Sequence, residues 1–297
     1  MARVDIEGRS VRLTNLDKVL WPSVGMTKAD LIDYYARVAP VLLPHLAGHP
    51  LTLHRFPDGV GGPDWFETRA PAHPPWVRTQ NMYTFRSGKD VDAVLIDGVA
   101  SLVWAANAAA IELHPYLGTT DDLRRPTAVV FDLDPGMPAT LVDASRVALS
   151  LRTVLDDLGL VSFPKTSGGK GLHVYVPLNT PHTYDRTKAF AHAIARQLAR
   201  DQPGAVVDVM ARARRGGKVF VDWSQNDAGK STIAPYSLRG LWYPTASVPV
   251  TWDEVDAAAR AATVDDLVFL ASDVPPRLDR LGDLFAPVLT VGQELPG

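Results

Sequence analysis

Alternation of apolar and polar positions is clearest in the middle of the chain. Thr127-Ala128-Val129-Val130 is an apolar, β-branched run that reads as a buried strand. It continues into Phe131-Asp132-Leu133-Asp134, and Pro135-Gly136 ends it. Side chains alternate along a strand, so Phe131 and Leu133 face one way. Asp132 and Asp134 face the other, about 7 Å apart at the backbone. Similar patterns predict strands at Arg9–Leu13, Leu51–Phe56, Ala93–Ile96, Ile111–Tyr116, Ser162–Thr166, Gly171–Leu178 and Val219–Trp223. Helical spacing predicts other elements. Thr27-Lys28-Ala29-Asp30 opens like a capping box on a helix to about Leu43. Asp97 caps a helix to about Ala110. Leu141–Leu158 and Asp185–Arg200 read as helices, and Trp252–Leu284 as short ones. Thr14–Lys18 looks like one more helix start, and Thr290–Gly297 like a tail. Trp65 and Phe66 fall in a Gly/Pro-rich loop.

Composition adds bounds rather than identity. At 297 residues the chain can form one large domain or two small ones. With 46% hydrophobic and 21% charged residues, the composition is that of an ordinary globular protein. A net charge of −3 means that any nucleic-acid contact must come from a local basic patch. There are no cysteines, which excludes thiol catalysis, disulfides and cysteine metal sites and suits the cytosol. No apolar signal core and no membrane-length apolar run occur.

Candidate chemistry gathers around the acidic strand. Asp132 and Asp134 can hold cations, or can simply form a solvated strand end. Asp222 ends another buried strand. Ser167-Gly168-Gly169-Lys170-Gly171-Leu172-His173 resembles a phosphate loop, with glycines that let N–H groups approach an anion. It is not a Walker A motif, because Gly171 follows Lys170 and a strand follows the loop. Arg212, Arg214, Arg215 and Lys218 form a basic run just before the Asp222 strand, and Arg239 lies near a strand or turn end. Lys18 and Lys28, near two expected helix starts, are either an anion site or two surface lysines. His114 reads as a structural strand histidine. Of Trp65 and Phe66, one is a stacking platform for a base or a core plug.

Four motifs in order then carry a resemblance: Phe131–Gly136, Thr166–His173, Val219–Asn226 and Ala234–Gly240. Together they closely resemble the polymerase domain of bacterial DNA ligase D, of the archaeo-eukaryotic primase superfamily. The resemblance covers nearly the whole chain, from Leu13 onward. It implies an α+β fold: a primase-type core with a modified RNA-recognition-like sheet, a second sheet and flanking helices. It also implies one catalytic domain over 1–290, followed by a tail at 291–297. Within that domain, 1–110 would contact DNA, 111–250 would form the catalytic core and 251–290 a helical part. Asp132, Asp134 and Asp222 match metal-binding catalytic carboxylates. His114, Ser167, Lys170, His173, Arg215, Gln225 and Arg239 match nucleotide-binding positions. Lys18 and Lys28 match lysines for a DNA 5′-phosphate, and Trp65 and Phe66 match an aromatic pair that stacks on DNA. His54 stands where relatives often have Lys, and Thr68 likewise, with Arg69 as its neighbour.

The implied activity is template-dependent nucleotidyl transfer with a ribonucleotide preference, filling gaps or extending ends in non-homologous end joining. Two divalent ions, Mn²⁺ or Mg²⁺, are the expected cofactors. Expected partners are DNA gaps or ends with a 5′-phosphate, an NTP or dNTP, and, in end joining, Ku and a separate DNA ligase. A monomer in the cytoplasm, associated with the nucleoid and with no membrane, completes the expectation. No Lys-x-Asp-Gly ligase motif occurs, so a stand-alone relative is expected. Three rivals remain: a primase that starts chains unaided, a non-catalytic DNA-end-binding module, and an Asp-x-Asp glycosyltransferase.

Overall fold

A computed structural model describes residues 2–85, 87–261 and 267–296. Residues 262–266, inside the expected helical part, and Gly297 of the expected tail lie outside the described residues. The chain divides into two compact units. The first comprises residues 1–123, 231–246 and 270–282; the second comprises 124–230, 247–269 and 283–297. Both are mixed α+β.

The second unit is built on a five-stranded sheet in the order Phe163–Thr166, Leu172–Pro177, Ala128–Pro135, Val219–Asp222, Val206–Val207. Neighbours run antiparallel except the last pair, which is parallel. The expected alternation holds on the acidic strand Ala128–Pro135, where Val129, Phe131 and Leu133 are fully buried and Asp132 and Asp134 are not. Those apolar side chains share a core with Leu151 and Leu155 of the Leu141–Asp157 helix and Ile194 of the Tyr184–Asp201 helix. The first helix buries Leu141, Ala144, Val147, Ala148, Leu151 and Leu155, an i, i+3, i+4 stripe. Thr140 and Asp143 cap it in a reciprocal box. Residues expected as a tail are anchored in this unit: Leu295 is buried, and the Gln293 amide donates to the Val161 and Pro177 carbonyls.

In the first unit, Leu51–Arg55 pairs antiparallel with Trp65–Glu67 and with Ala110–Pro115, and Thr79–Thr84 pairs with Lys89–Val94. The Lys28–Leu46 helix starts at the expected capping box of Thr27 and Asp30 and packs on the Val99–Asn107 helix. Two expectations need correction. Thr14–Lys18 is a turn rather than a helix start: Asn15 takes a positive φ of 50° and Lys18 N–H donates back to its carbonyl. Trp65 and Phe66 lie on an edge strand rather than in a loop. Residues 231–246 return across the Ala110–Pro115 strand. There Ala234 N–H donates to the Leu113 carbonyl at 2.9 Å, and Tyr34 Oη donates to the Tyr236 carbonyl at 2.7 Å. That return places Arg239 beside Glu112.

Candidate active site

Sheet register, rather than chain proximity, assembles the charged site of the second unit. Asp132 stands opposite Asp222 on one neighbouring strand and opposite His173 on the other, and His173 in turn faces Lys165. The result is a row of Lys165, His173, Asp132 and Asp222 across four strands. His173 Nε2 lies 3.5 Å from Asp132 Oδ1, and Gln225 Nε2 donates to Asp132 Oδ2 at 3.5 Å. Asp222 Oδ1 accepts from the Ser224 backbone at 2.9 Å and from its hydroxyl at 2.6 Å, which fixes that carboxylate at the strand end. Burial, with the charges of Asp222 and Asp134 adding repulsion, pushes the Asp132 carboxyl up to about 7. Lys165 is fully buried, donates to Ser247 Oγ at 2.6 Å and partly offsets that rise. It was not among the residues expected in the site. Its only sequence signal is a lysine inside a strand beside the glycine loop.

Asp134 turns toward basic groups. Lys170 Nζ is 3.0 Å from Asp134 Oδ1 and donates to the Pro135 carbonyl at 2.7 Å. Arg215 Nη1 is 3.7 Å from Asp134 Oδ2, and its guanidinium lies over the Phe220 ring at 3.7 Å. With Gly136 and Arg212 these residues line a cavity of about 340 Å³. Two glycines make this closeness possible. A Cβ on Gly136 would collide with the Arg215 carbonyl, and one on Gly171 with the Leu133 carbonyl. Ser167 Oγ accepts from the N–H groups of Gly169 and Gly171 at 3.2 Å each, which shapes the glycine loop.

The remaining expected residues belong to the first unit. Glu112, 2% exposed and missed by sequence reasoning, joins two of them. Its Oε2 is 2.8 Å from His114 Nε2, and its Oε1 is 3.3 Å from Arg239 Nε and accepts from Gly240 N–H at 2.9 Å. These partners and His54 outweigh burial and hold the Glu112 carboxyl well below the usual carboxylate range. A lone acid between Ile111 and Leu113 was the available signal. Lys28, at the first turn of its helix, is buried and donates to Thr14 Oγ1 at 3.2 Å and to the Asn107 carbonyl at 3.0 Å. Lys18 pairs with Asp58 at 2.7 Å. Burial and the charge of Lys18 push the Lys28 ammonium down. Trp65 and Phe66 are 42% and 49% exposed. Arg55 lies over Trp65, and Phe66 stacks on His54. Thr68 pairs with Thr52 through their hydroxyls at 2.8 Å.

The second unit's donor set fits hard divalent cations. It offers three carboxylates, no sulfur, and one carboxyl destabilised as an anion by burial and by its acidic neighbours. Residues 27–285 match the family described as LigD, primase-polymerase domain, a family that uses divalent metal. The chain is 43% identical over 282 residues to the multifunctional non-homologous end joining protein LigD of Mycolicibacterium smegmatis, covering 94% of this chain and 36% of that protein. It is 31% identical over 261 residues to the bifunctional LigD of Bacillus subtilis, covering 87% and 42%. The chain thus spans well under half of those relatives. Among solved structures it matches the polymerase domain from Mycobacterium tuberculosis ligase D in complex with DNA. That match has a TM-score of 0.86 and 39% identity, covering 95% of this chain and 99% of that one. The α+β architecture is therefore that of the primase-type core. The chain belongs to the LigD primase-polymerase domain family and is a polymerase-type nucleotidyltransferase.

Proposed function

We propose that the chain extends a primer 3′-hydroxyl across short gaps or at DNA ends during non-homologous end joining, with a preference for ribonucleotides. The observation that carries this reading is the pairing of Asp132 with Asp222 across the sheet, with Asp134 one step away against a basic cavity. Asp132, Asp134 and Asp222 would hold two divalent ions, Mn²⁺ or Mg²⁺. Such ions, when bound, activate the attacking hydroxyl and neutralise charge on the departing pyrophosphate. Lys170, Arg215 and Arg212 line a cavity suited to a triphosphate, and their value lies in positioning and charge stabilisation. Ser167 holds the glycine loop in shape for the phosphates, and Gln225 and His173 orient Asp132. In the first unit, His114 and Arg239, braced by Glu112, are assigned to nucleotide contact on the strength of family membership.

DNA contacts follow from the first unit. Lys18 and Lys28 are assigned to a terminal 5′-phosphate, which would relieve the repulsion between them. Trp65 and Phe66 present exposed rings for base stacking, worth about 1–3 kcal/mol per base. The M. tuberculosis relative is described in complex with DNA, which favours this assignment. Ku, a separate ligase and action as a monomer in the cytoplasm belong to the same proposal. Among the described residues, no helix is long and apolar enough to cross a membrane.

The test compares incorporation on gapped duplexes, with and without the downstream 5′-phosphate, against unprimed templates. Each substrate is run with Mg²⁺ and Mn²⁺ and with rNTP and dNTP. Extension that needs a primer and rises with the phosphate is expected. Synthesis on unprimed template at comparable rates would replace gap filling with chain initiation, and a clear dNTP preference would end the ribonucleotide reading.

A further inference from the structure

The first unit holds a separate cluster of ligating side chains. His54, Glu112 and His114 each place one donor atom within 4.8 Å of the other two, and all three residues are buried. Both imidazoles converge on a single oxygen. His114 Nε2 is 2.8 Å and His54 Nδ1 is 3.2 Å from Glu112 Oε2. The other oxygen of Glu112 is already held by Gly240 N–H and Arg239.

His54 supplies the second observation. It is 9% exposed, and its buried Nδ1 makes no hydrogen bond although it faces the Glu112 carboxylate. Its other nitrogen, Nε2, lies 2.6 Å from Asp64 Oδ1. His54 thus lies between two carboxylates, Asp64 at Nε2 and Glu112 at Nδ1, and a metal cation bound at Nδ1 would take the place of a proton there. A carboxylate on the far nitrogen is also the usual means of fixing the ring and tautomer of a ligating histidine. Phe66, stacked on the His54 ring at 3.8 Å, restrains the ring plane.

We propose that His54, Glu112 and His114 form a site for a divalent transition-metal ion, with Zn²⁺ as its representative occupant. Two imidazoles and a carboxylate suit zinc rather than magnesium, which favours all-oxygen sites. A tetrahedral ion with bonds of about 2.0–2.1 Å separates its donors by roughly 3.3–3.4 Å; the two imidazole donors lie 2.8 and 3.2 Å from Glu112 Oε2 and within 4.8 Å of each other. A water can take the fourth position. The charges of Glu112 and Asp64 together exceed that of Arg239, which leaves the surroundings favourable to a cation.

The experiment uses the full metal-free chain carrying Asp132→Ala and Asp222→Ala, so that hard-ion sites add nothing, and contains neither nucleotide nor DNA. Its outcome is therefore independent of the polymerase reading. Equilibrium dialysis is expected to give one equivalent of Zn²⁺. Co²⁺ is expected to give the visible absorption of a four-coordinate ion, displaced by Zn²⁺. His54→Ala should lower the affinity at least a hundredfold with an unchanged circular dichroism spectrum. Should that variant not fold, Asp64→Asn decides instead: the Asp64 side chain is 45% exposed, and loss of its support should weaken binding about ten- to a hundredfold. Absence of a Zn²⁺ equivalent, or an affinity unmoved in the deciding variant, would overturn the site and leave a proton as the occupant of the gap.

Discussion

Two carboxyl groups, the half-buried Asp132 in the second unit and the buried Glu112 in the first, are displaced in opposite directions. Burial raises both, and their neighbours decide the outcome. Asp132 meets two further aspartates and is pushed up to about 7. Glu112 meets two histidines, an arginine and a backbone N–H, and is held well below the usual range. One carboxylate is held as an anion by the protein's own neighbours. The other awaits positive charge from outside, as a site that binds cations during its cycle requires. Exposure alone would predict the reverse order, because Glu112 is the less exposed of the two; the sign and number of charged neighbours decide it.

The sharpest break between the two regions is in activity. Asp132→Ala or Asp134→Ala should lower incorporation at least a thousandfold while leaving DNA binding within about twofold, measured by single-turnover extension beside an equilibrium binding titration. Activity at a tenth of wild type or more in either variant refutes their role as metal ligands. In the first unit the same kind of change should act on stability. Glu112→Gln leaves Arg239 and both histidines facing a neutral group, and breaking a buried pair from one side costs about 3 kcal/mol. Urea unfolding reads this, and a loss under 1 kcal/mol would mean that Glu112 is not the brace described here.

A third experiment isolates Asp132 in metal-free protein. Its folded pKa lies above its unfolded value, so between about pH 4 and 7 the folded state binds the extra proton. Stability should therefore fall as pH rises through that window, by about 2 kcal/mol once the partial exposure of the side chain is allowed for. Asp132→Asn should flatten the profile, and added Mn²⁺ should reverse the fall in wild type only. A wild-type profile in EDTA that rises with pH through the window, with Asp132→Asn unchanged, would remove the repulsion on which the comparison rests.

These contrasts show what the linear sequence could and could not carry. The acidic strand was legible because Phe131 and Leu133 alternate with Asp132 and Asp134 ahead of Pro135. The capping box at Thr27 was legible because both partners lie within three residues. The pairing of Asp132 with Asp222 was not, since it depends on a sheet order that the sequence does not follow. Glu112 and Lys165 were missed for a related reason. Each is a polar residue inside an apolar strand, and only long-range partners such as Arg239 and Ser247 make its burial tolerable. The turn at Asn15 was misread because a positive φ at a non-glycine residue leaves little trace in composition. Gly61, Gly62 and Pro63 suggested a loop and masked the short edge strand that follows them.

The smallest expected effect concerns Lys18 and Lys28, the cationic counterpart of the acidic row. Lys28 is buried against Thr14 and Asn107, and burial together with the charge of Lys18 pushes its ammonium down. A phosphate arriving here adds the missing negative charge beside the first turn of the Lys28–Leu46 helix; there the helix dipole favours an anion, and the first N–H groups are already held by the Lys18 and Leu16 carbonyls and by Thr27 Oγ1. Lysine point charges suit a terminal phosphate because they impose no bidentate geometry. The Lys18 side chain pairs with exposed Asp58, and its backbone bonds survive truncation, so Lys18→Ala should leave the fold intact. Wild type should bind gapped DNA about five- to tenfold more tightly when the downstream strand carries a 5′-phosphate. Lys18→Ala should retain about half of that free-energy gain, and Lys18→Ala with Lys28→Ala none. The gain should shrink as salt rises, and binding to an open template-primer should not change. If wild type gains nothing from the phosphate, or the double variant keeps the full gain while folded, the two lysines are structural cations that hold the turn at Asn15 against the helix start, and the gap-filling proposal loses this support.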